Sequence, residues 1–212
     1  MKNSTLNIFE ELFIRYPALS VCRGEILKAY EIIESVYAAG GKLLVCGNGG
    51  SGADSEHIVG ELMKKFKKPR KIKKDVKTAL LSYGKEGEKL AEVLEGTLRA
   101  ITLTSNIALS TAFANDKEPS AVFAQQVYGL IDDKDALVAI STSGNSENCV
   151  LAAVTAKAMG AKVVSLTGKN ENKLTKLSDA QIRVPETETF KVQEYHLPVY
   201  HALCAMLEEE NF

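Results

Sequence analysis

No apolar run approaches the ~20 consecutive residues needed to cross a bilayer, so no membrane span is expected. Neither sign of charge dominates: the formal net charge is -1, which gives no general electrostatic attraction to nucleic acid. Cysteine is sparse. Cys22, Cys46, Cys149 and Cys204 are scattered and form no Cys-x-x-Cys pair, so they read as free thiols in a reducing cytoplasm. Cys46 and Cys149 fall in or beside predicted buried elements, where cysteine acts as a small hydrophobe. The residues from Met1 to Leu12 carry acids where an export signal needs an apolar core, so none is expected. A Walker A loop is also missing, because no Gly-Lys-Ser/Thr follows the glycine-rich stretch.

What is present is organised around Leu43 to Glu61. An apolar run, Leu43 to Cys46, has the length of a buried parallel strand. It breaks at Gly47, Gly49, Gly50 and Gly52, interleaved with Asn48 and Ser51, and resumes from Ala53 as a helix. His57 and Glu61, four residues apart, share one face of that helix. Strand, glycine-rich turn and helix place backbone N–H groups and a helix dipole toward an anion. Gly47, Gly49 and Gly52 satisfy Gly-x-Gly-x-x-Gly, but a basic run stands where a dinucleotide site wants an acid ~20 residues on. The anion is therefore read as a phosphorylated small molecule.

The remainder alternates between strand and helix. Apolar residues at helical spacing from Thr5 to about Gly40 predict two helices parted by Pro17, an extension that precedes the first strand. Lys64 to Lys74 is a dense basic run, read as a solvated, mobile connection. Thr78 to Leu98 looks helical, with a break at Gly84. Ala100–Leu103 is a second strand, followed by a helix and then a loop, Ala112 to Asp116. Ser120 to Leu130 is amphipathic. Ala136–Ile140 is the clearest buried strand and runs into Ser141-Thr-Ser-Gly-Asn-Ser146. Hydroxyls and a glycine between a strand and a helix form a phosphate cradle that needs no lysine; capping the helix would need only one serine. Lys162–Leu166 and Ala180–Val184 are further strands, and Phe190 to Glu209 is helical. This alternation implies a parallel sheet with helices on both faces, its ligand bound beyond the carboxyl ends of the strands.

Gly47-Asn-Gly-Gly-Ser with His57-x-x-x-Glu61, Ala114-Asn-Asp116, Ile140-Ser-Thr-Ser-Gly-Asn-Ser146 and Gln193-Glu-x-His-x-x-x-x-His201 together resemble the sugar isomerase (SIS) domains, and among them the phosphoheptose isomerases, over nearly the whole chain. The resemblance implies an α/β fold: a five-stranded parallel sheet flanked by helices, a flavodoxin-like three-layer sandwich. It would be a single domain over residues 1–212, with an N-terminal helical extension (1–40) and a lengthened basic and helical connection at about 67–98. It further implies a homotetramer with shared active sites, and zinc held by His57, Glu61, Gln193 and His201. Substrate contacts carry over to Asn48, Gly49, Gly50, Ser51, Glu61, Asn115, Asp116, Ser141, Thr142, Ser143, Ser146 and Gln193. Pro198, between Gln193 and His201, predicts that the last helix kinks or begins near Leu197. An ideal helix would leave Gln193 and His201 roughly 80° apart around its axis, able to share a site.

The implied reaction is ketose–aldose interconversion of sedoheptulose 7-phosphate, giving D-glycero-D-manno-heptose 7-phosphate through an enediol and feeding heptose biosynthesis. It needs a base for the carbon acid and a proton carrier for the oxygens. Glu61 and His201 are assigned to proton transfer, Asp116 and Gln193 to sugar hydroxyls, and the serine loop to the distal phosphate. Two nitrogens and two oxygens suit zinc. His196 reads as a partly buried helix histidine without a chemical role. The alternatives are a non-catalytic SIS adaptor that associates with a replication initiator, and an isomerase of another phosphosugar.

Overall fold

Strand side chains alternate between two apolar clusters, and that alternation sets the layers. The structure is a computed structural model describing residues Met1–Phe212. Its strands are β1 (Leu43–Cys46), β2 (Ala100–Thr102), β3 (Ala136–Ile140), β4 (Lys162–Thr167) and β5 (Ala180–Arg183). All pairings are parallel and the order is β2-β1-β3-β4-β5. The helices are α1 (Asn3–Arg15), α2 (Arg23–Ala38), α3 (Gly50–Met63), α4 (Lys74–Leu81), α5 (Gly84–Val93), α6 (Ile107–Asp116), α7 (Val122–Leu130), α8 (Glu147–Ala158), α9 (Lys173–Leu177) and α10 (Thr189–Asn211). Leu43, Val45, Val138, Ile140, Val164 and Leu166 face a cluster completed by α1, α2, α3 and α10. Leu44, Cys46, Leu137, Ala139 and Val163 face another completed by α7, α8 and α9. The expected five-stranded, three-layer α/β sandwich is the observed one.

The expected N-terminal helices are present and form part of a layer of the sandwich: Phe9, Leu12, Ile26 and Ile33 are buried in the first cluster. Two local expectations are corrected. Ala112 to Asp116 is not a loop but the end of α6. The last helix runs unbroken from Thr189 to Asn211 with Pro198 inside it. An interior proline costs ~3 kcal/mol, yet Val192, Val199, Leu203, Met206 and Leu207 of the same helix are buried at ~1.5–3 kcal/mol each. Tertiary burial wins.

The basic run is not mobile either. The Glu208 carboxylate accepts from the backbone N–H groups of Phe66, Lys67 and Lys68. Arg70, buried, donates to Glu208 and to the carbonyls of Leu62 and Glu61. Those carbonyls belong to the open last turn of α3, so Arg70 closes the end of the helix that carries His57 and Glu61. Beyond it, α4 and α5 form an exposed hairpin in which only Gly87 and Ala91 are buried.

Candidate active site

The sheet order places the site. β1 and β3 are neighbours, but the chain leaves β1 toward β2 and leaves β3 toward β4. Their outgoing loops diverge and leave a crevice beyond the carboxyl ends of the two strands. The loop after β1 ends at Gly49, and α3 begins at Gly50 with its first-turn N–H groups at that edge. The loop after β1 is tied to the first turn of α8 by a reciprocal amide pair: Asn48 Nδ2 donates to Asn148 Oδ1 at 2.9 Å, and Asn148 Nδ2 to Asn48 Oδ1 at 2.8 Å.

The serine loop after β3 is braced from behind. Gly144 takes φ +64°, and a Cβ there would lie 2.0 Å from the Asn172 side chain, so only glycine fits. Ser141 Oγ accepts from the Gly144 N–H and lies 2.9 Å from Ser146 Oγ. Ser146 holds the N-cap position of α8, yet its side chain makes no capping bond. The hydroxyls therefore do not serve as caps. Thr142, Ser143 and Asn145 line an open cavity of about 300 Å³ together with Lys169.

The second group of residues lies farther along α3 and α10, which run side by side. Gln193 packs against Gly50: a Cβ on Gly50 would sit 2.5 Å from Gln193 Nε2. Two turns on, His57 meets Tyr200 and His201, with ring centroids 5.5 and 4.9 Å apart. His57 Nε2 is 3.3 Å from Glu61 Oε1, and its Nδ1 is 3.0 Å from the Tyr200 hydroxyl. Glu61 Oε2 and His201 Nε2 are buried without a hydrogen-bond partner. The Lys64 ammonium lies 3.5 Å from Glu61 Oε2, a charge neighbour but not a bonded one. Burial and the adjacent His57 hold the His201 imidazole below its ordinary value, against the pull of Glu61. Burial and the Asp54 carboxylate push the Tyr200 phenol up.

Not every expected residue joins these groups. Asn115 and Asp116 are exposed at the end of α6, where the Asn115 amide donates to Asp116. Gln193 and His201 share the α10 helix, but a rise of 1.5 Å per residue separates them by ~12 Å, and Gln193 packs on Gly50 instead. Angular proximity around the axis is therefore not enough to bring them together. As the side chains stand, no three His, Cys, Asp or Glu donors converge on one point. His201 lines a cavity of about 290 Å³ with α1, Phe66 and Lys67, and that cavity shares no lining residue with the serine-loop cavity. The two cavities are thus separate within the chain.

Asp54 and Tyr200 were not among the residues singled out from sequence. Asp54 was detectable in principle, three residues before His57 on the same helical face. Tyr200 had no local signal.

His196 is fully buried, deeper than expected, and neither ring nitrogen has a hydrogen-bond partner. Burial pushes its pKa down from 6.5 to about 4, only partly offset by the nearby backbone of Thr167. The unfolded chain thus binds a proton that the folded chain refuses. The resulting stability is complete above pH 6.5 and is lost toward pH 4, a loss on the order of 3 kcal/mol. His196→Leu is expected to flatten that acid limb in denaturant unfolding measured from pH 7 to 4.5. An unchanged difference between pH 7 and pH 4.5 would show that His196 is not the group responsible.

Comparison with known proteins bears on the family and the fold. The SIS domain family profile matches residues 103–207. Phosphoheptose isomerase 1 of Campylobacter jejuni is 34% identical over 192 residues, 91% of this chain and 90% of that protein. The phosphoheptose isomerase of Akkermansia muciniphila is 32% identical over 212 residues, covering 100% and 97%. The solved phosphoheptose isomerase of Neisseria gonorrhoeae superposes with a TM-score of 0.73 at 28% identity, over 98% of this chain and 94% of that one.

Proposed function

The chain belongs to the phosphoheptose isomerases of the SIS-domain family and is an aldose–ketose isomerase; from that premise we propose how its residues share the interconversion of sedoheptulose 7-phosphate and D-glycero-D-manno-heptose 7-phosphate. The observation that carries the reading is the gathering of His57, Glu61 and His201, with two of their polar atoms buried and unpartnered. Such atoms are costly to leave unpaired, and a substrate hydroxyl or carbonyl is the group that completes them.

The reaction moves one proton from C1 to C2 and another between the two oxygens. Glu61 takes the C1 proton and returns it to C2. His201, kept neutral by burial, receives and gives the oxygen-bound proton. Ser141, Thr142, Ser143 and Ser146 hold the phosphate with the Asn48–Ser51 turn and Gln193 holds a hydroxyl, while Asn115 and Asp116, which stand apart from these groups within one chain, would hold hydroxyls of a substrate bound by a second copy. Binding energy at the distant phosphate positions the reacting end.

The donor types suit zinc, and two of them already stand at its ligand spacing. Tetrahedral ligands at ~2.1 Å place donor atoms about 3.4 Å apart, close to the 3.3 Å between His57 Nε2 and Glu61 Oε1. His57, Glu61 and His201 would hold the ion, and Gln193 of a second copy of the chain would be the fourth donor. When bound, zinc would polarise the substrate carbonyl.

A homotetramer with shared sites would let the serine loop of one copy meet the His57, Glu61 and His201 cluster of another, and the separation of these groups within one chain supports it. It is supported by α6, which buries none of its residues while Ile107 is 72% exposed. No helix is long and apolar enough to cross a membrane. All four thiols are buried and unpaired, which supports residence in the cytoplasm.

The test uses purified protein, sedoheptulose 7-phosphate and zinc. Replacing Ser143 and Ser146 by Ala is expected to raise KM at least tenfold, through loss of at least ~1.5 kcal/mol of charge-assisted bonding, with the fold retained. Unchanged kinetics would place the phosphate elsewhere. Mixing this variant with Glu61→Gln and reassembling should restore activity if sites are shared. No recovery, or a monomer by light scattering, would rule sharing out.

A further inference from the structure

Asp54, Tyr200 and His57 form a chain of hydrogen bonds whose direction follows from counting hydrogens. Tyr200 lies on α10 beside His201 and is 2% exposed. Its hydroxyl donates to Asp54 Oδ1 at 3.2 Å, and its oxygen lies 3.0 Å from His57 Nδ1. A carboxylate can only accept, and a phenol has a single hydrogen. That hydrogen is on the Asp54 bond, so the phenolic oxygen must accept from His57 Nδ1–H. A neutral imidazole protonated on Nδ1 carries its lone pair on Nε2, which faces Glu61 Oε1 across 3.3 Å.

We propose that Tyr200 is a positioning residue: anchored by Asp54, it fixes His57 as the Nδ1–H tautomer and turns the Nε2 lone pair toward Glu61. The inference rests on the reading of His57, Glu61 and His201 as the reacting cluster. Its consequence is specific. Two electron-rich atoms facing each other are held ready for positive charge, either a metal ion or a proton in transit. Without the phenolic oxygen, His57 is free to protonate Nε2 and donate to Glu61, and the cluster then satisfies itself. The Tyr200 ring also packs edge-on against His57 and His201, with centroids 5.5 and 4.9 Å away. Tyr200→Phe keeps that packing and removes only the relay.

The experiment is long-range 1H–15N correlation NMR on the metal-free, full-length protein with 15N-labelled histidine, the His57 signals identified by their loss in His57→Gln. Wild type is expected to give the Nδ1–H pattern at His57. Tyr200→Phe should shift it toward Nε2–H. Asp54→Asn should do the same by a different route, since its amide donates to the phenol and turns the phenolic hydrogen to His57 Nδ1. In parallel, Tyr200→Phe should lower kcat roughly 10–100-fold, as changes behind a site residue do, with KM little altered. Retention of the Nδ1–H pattern in both variants, or an Nε2–H pattern in wild type, would overturn the proposal. The reading it rests on is tested apart from this, by the kcat of Glu61→Gln, which does not enter the NMR result.

Discussion

Glu61→Gln is expected to lower kcat at least ~100-fold, within the 10²–10⁴ range of general acid–base catalysis, while KM changes little. The amide keeps the shape of the carboxylate and its place beside His57 but cannot take a proton from carbon. His201→Asn should lose a comparable factor. The two losses should not multiply, because groups that act as one unit fail together. The double variant is expected within about tenfold of the weaker single one. Stopped assays of aldose formation, with circular dichroism to confirm folding, decide the matter. The 4.9 Å between the His57 and His201 rings makes His201, not His196, the partner, so His196→Asn should cost far less in kcat. Inactivity confined to His196→Asn would invert the assignment.

Arg70→Met should destabilise the fold by about 3–5 kcal/mol, the usual result of removing one member of a buried ion pair. Arg70 and Glu208 have fully and almost fully buried side chains and meet at 2.8 Å. Without the guanidinium, Glu208 keeps a buried charge and the last carbonyls of α3 lose their donors. Burial alone would push the Glu208 carboxyl up, but the Phe66 and Lys67 N–H groups and Arg70 outweigh it and hold the carboxyl below its usual range. Its contribution is thus present above the unfolded carboxylate value and disappears as pH falls through the lowered one. Urea midpoints at fixed protein concentration measure the effect. Arg70→Met with Glu208→Gln should recover part of the loss. A single-variant change below ~1 kcal/mol would mean that the cluster adds little.

Much of this was legible in the residues. The buried strands Leu43–Cys46 and Ala136–Ile140 and the polar loops after them are local patterns, and parallel topology brings such loops to one edge wherever helices intervene. The errors came from long-range terms. Pro198 reads as a helix breaker because the sequence does not reveal how much of α10 is buried. Lys64 to Lys74 reads as solvated because Glu208, which pins it, lies about 140 residues away in the chain. Gln193 and His201 were paired by angle around an axis, without the rise along it. Tyr200 gained its part only when α10 lay beside α3.

α1 is covered by α10. Phe9, Leu12 and Phe13 of α1 pack in the cluster that α10 completes, and Lys2 N donates to Glu210 across 208 positions of sequence. During synthesis, then, the apolar side chains of α1 that α10 covers stay exposed until the residues beyond Thr189 have emerged. His201 of the site arrives in that same segment. A nascent chain halted before Thr189 therefore lacks His201 and leaves that apolar surface open, the kind of exposure from which aggregation begins.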